Sequence, residues 1–131
     1  TFHCKGLAKL SPESQPSLTK HHQVKIQLHN EYPRKRPILL WLTNIFHPNI
    51  MPPEKNGGVC IGDWTPSESL DMLCVRLAEF VQYKNYSIED ALDTEAAKWA
   101  ESHTHLFPVD NRDIEFGVQD VHLNNSIVIQ F

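Results

Sequence analysis

Few side chains in this 131-residue sequence can do covalent chemistry: three cysteines, Cys4, Cys60 and Cys74, and eight histidines. An odd cysteine count with no CxxC pair argues against a disulfide framework and a cysteine-rich zinc module. It points to a reducing, cytoplasmic setting. Cys60 lies near the end of a 20-residue stretch, Asn44 to Asp63, that holds His47-Pro48-Asn49 and Gly57-Gly58 and has no sustained hydrophobic period. An irregular loop of that length inside a compact domain is often functional. A thiol with a pKa of about 8.5 is only a few per cent ionised at pH 7. No triad base is evident, so nucleophilic work at Cys60 requires a substrate that tolerates a weakly activated thiol. A zinc site from Cys60 with His47, or with His103 and His105, lacks compact ligand spacing. Cys4 and Cys74 read as small apolar core residues, and His21 and His22 as exposed strand residues.

The elements that must position these groups are legible in the hydrophobic pattern. Residues 1–10 and 21–29 alternate as strands, with Val24, Ile26 and Leu28 on one face of the second. SPESQPSLTK between them reads as an exposed hairpin loop. A third strand over Ile38–Thr43 is nearly all apolar, which predicts burial on both faces; the three strands form an antiparallel meander. After the long loop, Thr65, Pro66 and Glu68 read as N-cap, first helical residue and capping-box acid. Leu70, Leu73, Cys74, Leu77, Phe80 and Val81 then form one apolar stripe. A second helix is predicted over Thr94–His103, capped by Asp93 or Thr94, and SIVIQF at the end reads as a strand without a place on the sheet. Strands followed by helices indicate an α+β domain with helices on one side of an antiparallel sheet. Residues 1–105 are expected to form this domain, with 106–131 a divergent extension packed on it.

Composition excludes several classes. Hydrophobic residues make up 40% and charged residues 21%, which fits a folded domain rather than a disordered chain. No window approaches the roughly 18 apolar residues of a membrane span, so no membrane contact is expected. No secretory leader is visible, and the start at Thr1 in strand-like sequence fits a chain whose natural N-terminal segment lies upstream. The net charge of -4 divides unevenly: residues 1–50 carry seven Lys or Arg and two acids (+5), residues 51–131 five and fourteen (-9). The one basic cluster, Arg34-Lys35-Arg36, is too small for nucleic-acid binding; it reads as a solvated loop or a contact for an acidic protein partner.

In order and spacing, YPRKRP at Tyr32–Pro37, HPN at His47–Asn49, GGVC ending at Cys60, WTP at Trp64–Pro66 and EDALDTEAA at Glu89–Ala97 resemble the ubiquitin-conjugating enzyme family. The match covers roughly residues 1–103. The resemblance implies a UBC-like fold and a transferase with no cofactor. Cys60 would accept a ubiquitin-like protein as a thioester from an activating enzyme and pass it to an amine, such as a lysine, on a target protein, directly or with a ligase. It further implies that Asn49 stabilises the oxyanion intermediate or holds the active-site loop, and that His47 and Pro48 are structural. Trp64 would belong to the same framework, and Asp90 would orient the amine, with Ser87 and Tyr86 lining the groove. Glu89 and Asp90 would otherwise simply cap or solvate the next helix. Arg34, Pro66 and Ser67 fall in the family's partner-contact loops.

Departures from the family pattern mark a divergent branch, for which a prokaryotic conjugation system in antiviral defence is one candidate setting. Asn49 to Cys60 is 11 residues, longer than in typical members, and Cys60 to Trp64 only four. Arg34 replaces an apolar ligase contact. The alternative to the enzyme is a catalytically inactive variant of the same fold that binds ubiquitin-like proteins; retention of Cys60 after GGV argues against it.

Overall fold

A computed structural model describes residues 4–122 and 125–131; the predicted strand residues 1–3 lie outside the described residues. In chain order the elements are β1 (Gly6–Ala8), β2 (Ser17–Thr19), β3 (Gln23–Gln27), β4 (Ile38–Trp41), α1 (Leu70–Val81), α2 (Thr94–Ser102), β5 (Gly117–His122) and β6 (Ser126–Gln130), with 3-10 turns at Pro53–Lys55 and Thr104–Leu106. The predicted α+β class is what is observed.

Pairing is antiparallel throughout, but the strands divide into a β1-β2 hairpin and a four-stranded sheet of order β4-β3-β6-β5. The expected meander of the first strands is therefore interrupted. The terminal strand β6 lies against β3, with Val24 opposite Ile129 and Ile26 opposite Ile127. The segment expected to be hairpin loop contains β2, which sets Leu18 opposite Leu7; a three-residue strand behind two prolines leaves no readable period.

One face of the sheet is the core. Val24, Ile26, Trp41 and Ile129 pack against Leu73, Cys74, Leu77, Phe80 and Val81 of α1, and each fully buried Leu, Ile or Phe side chain contributes about 1.5–3 kcal/mol. Cys4 and Cys74 are core residues as expected. Strand β4 is not buried on both faces, since Ile38 is 52% and Leu40 40% exposed. As an edge strand it turns Trp41 inward, packs Leu39 half-buried against the core and lays Ile38 and Leu40 toward solvent. His22 is wholly buried, contrary to expectation; its Nε2–H donates to the Thr19 carbonyl at 3.0 Å. Gly6 makes room for the ring, because a Cβ there would lie 2.7 Å from its Cε1. Burial drives the His22 pKa down to about 4.

Helix α1 begins later than Thr65 and Pro66 suggested. Ser69 is the N-cap, its hydroxyl accepting from the Met72 amide at 3.1 Å, a cap worth about 1 kcal/mol. Residues 65–68 form a separate turn closed by Glu68 N–H to the Thr65 carbonyl at 3.0 Å, and the Glu68 carboxylate pairs with Arg76 at 2.8 Å. The helix ends in a left-handed residue, Tyr83 (φ 57°), with the Lys84 amide reaching back to the Glu79 carbonyl. A non-glycine residue in that conformation costs about 1 kcal/mol, offset here by burial of the ring and a 2.6 Å bond from its hydroxyl to the Phe46 carbonyl. Leu7, Phe46, Tyr83, Ala96 and Ala100 make a second core that joins β1, the long loop and α2. Asp93 caps α2 by accepting from the Ala96 amide at 3.1 Å.

Candidate active site

The long loop is an ordered hairpin. Its two arms are joined by Met51 N–H to the Gly58 carbonyl at 2.8 Å and Cys60 N–H to the Asn49 carbonyl at 2.9 Å. Its tip is the 3-10 turn at Pro53–Lys55, reversed by Asn56 (φ 84°) and Gly57 (φ 67°). Gly57 is required twice over: its φ is positive, and a Cβ would fall 2.7 Å from the Trp41 carbonyl oxygen. The Trp41 amide also donates to the Gly57 carbonyl at 2.8 Å, so the hairpin is fastened to the edge of the sheet. The 11-residue spacing from Asn49 to Cys60 closes in this way.

His47, Pro48 and Asn49 clamp the hairpin to the segment that precedes α2. The Pro48 carbonyl accepts from the amides of Leu92 at 2.7 Å and Asp93 at 3.0 Å. The fully buried Asn49 side chain donates through Nδ2 to the Ser87 carbonyl (2.9 Å) and the Asp90 carbonyl (3.3 Å), and accepts the Ser87 amide on Oδ1 (2.8 Å). Asn49 thus holds Cys60 with its main chain and the Ser87–Asp90 turn with its side chain. Ser87 fixes that turn further, its hydroxyl accepting the Asp90 amide at 3.2 Å, and leaves the Asp90 carboxylate exposed.

His47 is buried completely, and its Nδ1 accepts the Asn49 amide at 2.9 Å. An N–H can only donate, so Nδ1 is unprotonated and the ring proton sits on Nε2. Desolvation lowers the pKa to about 3, opposed by the Phe80 carbonyl. The ring is neutral at physiological pH, packed 4.6 Å from Tyr83, and placed to pin the loop rather than to exchange protons. Cys60 is half-buried and its thiol is free. Among the described residues no three His, Cys, Asp or Glu side chains gather to hold a metal ion, and no helix is long and apolar enough to cross a membrane.

Trp64 acts at a distance from this clamp. Its indole N–H donates to the Pro33 carbonyl at 2.9 Å, and its ring lies 6.1 Å from Tyr32. That bond brings the loop bearing Arg34 beside the loop bearing Pro66 and Ser67, all three of them exposed. Arg34 and Lys35 share Glu31, at 2.6 and 2.9 Å, and the two cations hold its carboxyl below the usual range. Two residues that shape the site lack any readable signal. Arg76 donates to the carbonyls of Ile61 (2.5 Å) and Asp63 (2.9 Å) and so fixes the segment leaving Cys60. Tyr83 ties α1 to the residue before His47. Both stand in or just after an amphipathic helix, where Arg reads as solvated and Tyr as core.

A family model described as ubiquitin-conjugating enzyme matches residues 9–113. The chain is similar to ubiquitin-conjugating enzyme E2 16 of Schizosaccharomyces pombe, 31% identical over 101 residues (74% of this chain and 60% of that protein). It is also similar to ubiquitin-conjugating enzyme E2 S of Branchiostoma floridae, 32% identical over 80 residues (58% and 35%), and of Drosophila erecta, 30% identical over 91 residues (66% and 41%). The chain therefore spans between 35% and 60% of the length of these curated relatives.

Proposed function

Because the chain belongs to the ubiquitin-conjugating enzyme family, whose members work with a ubiquitin-like protein, an activating enzyme and ligases, we propose that it carries a ubiquitin-like protein as a thioester on Cys60. The Cys60 thiolate attacks the thioester presented by the activating enzyme, and that enzyme's cysteine leaves as the thiol once protonated. One thioester replaces another, so the exchange is nearly balanced in energy and a weakly activated thiol suffices. A lysine amine of the target protein then attacks the same carbonyl, the tetrahedral oxyanion collapses, and the Cys60 sulfur leaves as an amide forms.

Deprotonating a lysine with a pKa near 10.4 at pH 7 costs about 4.6 kcal/mol. The role of Asp90 is to orient the incoming ammonium at the rim of the turn; a carboxylate alone also favours the protonated form, so the proton is lost as the amine is desolvated against the thioester. Asn49 sets the distance between the thioester and this wall, and His47 and Pro48 keep the wall rigid. Arg34, Pro66 and Ser67, held side by side through Trp64, present the surface that a ligase would contact.

The observation that carries the reading is the double attachment of Asn49, main chain to Cys60 and side chain to Ser87 and Asp90. The test is a gel: with activating enzyme, ubiquitin-like protein and ATP, the chain forms an adduct that a thiol reductant removes. Cys60→Ser converts it to a reductant-resistant oxyester and Cys60→Ala abolishes it. An adduct that persists in Cys60→Ala refutes the assignment, and no adduct with the parent chain leaves the binding-only variant of the fold.

A further inference from the structure

The thioester reading leaves unused a cleft of about 590 Å³ on the other side of the extended segment that carries Cys60. Val59 and Ile61 line it and Cys60 between them does not, as the alternation of an extended segment requires. The floor is apolar, with Ile61 and Leu73 from the core and Leu39 beside them. The walls are fixed rather than collapsed. Trp64 is bonded to the Pro33 carbonyl at 2.9 Å, and Arg76 holds the Ile61 and Asp63 carbonyls. Gly58 and Gly62 contribute backbone to the lining.

Charge at the rim selects the occupant. Lys35, Arg36 and Arg76 face a single carboxylate, Asp63. Arg76 is engaged by Glu68 and Lys35 by Glu31, whereas Arg36 has no ion pair among the described residues. Arg36 is thus the rim's unpaired cation among the described residues, on a chain of net charge -4, and it draws an acidic group of a ligand to the rim. We propose that the cleft docks a peptide segment of a partner protein in which an apolar side chain is flanked by Asp or Glu. The apolar side chain rests on Val59, Ile61 and Leu73, and a flanking carboxylate meets Arg36. Such a segment lies against the residues on either side of the nucleophile without touching it, and its binding does not depend on thioester formation.

The experiment is selection of random dodecapeptides displayed on phage against the whole chain, followed by anisotropy titration of a labelled selected peptide. Selected sequences are expected to join Asp or Glu to an aliphatic or aromatic residue. Arg36→Glu and Ile38→Glu, both at exposed positions, should weaken binding about tenfold or more, with the affinity falling as salt is raised. Amide signals of Gly58 and Gly62 should shift on titration. Recovery of basic or uncharged peptides, failure to recover any, or affinity unchanged by both variants overturns the proposal. The reductant-sensitive adduct is measured on the same preparations: loading without peptide binding sinks the docking groove alone, and peptide binding without loading sinks the thioester reading alone.

Discussion

Replacing Asn49 by Ala removes three hydrogen bonds of 2.8, 2.9 and 3.3 Å from a side chain with no exposed surface. At a net 0.5–1.5 kcal/mol each, their loss amounts to roughly 1.5–4.5 kcal/mol. Ser87 is only half-buried, so water recovers part of that, and about 2–3 kcal/mol is expected. For a chain of this size that corresponds to a fall in melting temperature of about 10 °C. Urea unfolding followed by tryptophan fluorescence measures it directly. Asn49→Asp should cost at least as much, because a carboxylate oxygen would then face the Ser87 and Asp90 carbonyls where Nδ2 now donates. The catalytic consequence separates two roles. If Asn49 acts by positioning the Asp90 turn, discharge of a preformed thioester to lysine slows in Asn49→Ala, and adding Asp90→Ala slows it little further. If Asn49 is instead an independent oxyanion donor, removing it costs about 100- to 1000-fold and the two defects multiply. Stability changed by less than about 0.5 kcal/mol, with multiplicative rate losses, would refute the positioning argument.

Asp90→Ala should slow discharge to lysine by about 10- to 100-fold, the scale of a lost orienting contact, while transfer to a small thiol is affected less and the lysine defect narrows at high pH; equal defects for both nucleophiles at every pH would reduce Asp90 to a turn residue. Acid should destabilise the fold through His22 and His47. Both have folded pKa values far below the unfolded value of about 6.5, so their stability contribution is complete above that pH and is lost as pH falls toward 4 and 3. Between pH 7 and pH 5 each costs about 2 kcal/mol, which urea curves at the two pH values will show. A combined loss under about 1 kcal/mol would mean that the buried rings accept protons without unfolding.

Local pattern alone determined the helices and the framework of the site. The stripe from Leu70 to Val81 has one period and one way to be buried, and Asp93 before Thr94 has a capping geometry that depends only on neighbouring residues. The order of Tyr32, His47-Pro48-Asn49, Cys60 and Trp64 was enough to name the family, because Tyr32 meets Trp64 and Asn49 meets Cys60 only when the chain follows one path. Tertiary structure decided what depends on contacts between distant residues. Ser126–Gln130 is evidently a strand, yet its place beside β3 is set by pairing with residues about 100 positions away. The apolar run at Ile38–Trp41 cannot reveal that its strand lies at an edge, nor can two adjacent histidines show that only His22 is covered, by Gly6 and the sheet. Thr65 and Pro66 suit a helix start as well as Ser69 does; the bonds from Arg76 to Glu68, Ile61 and Asp63 hold the preceding turn out of the helix. Asn49 is the sharpest case: its spacing marks it as important, but an amide side chain can donate to an oxyanion or to a carbonyl, and only the fold brings the Ser87 and Asp90 carbonyls within its reach.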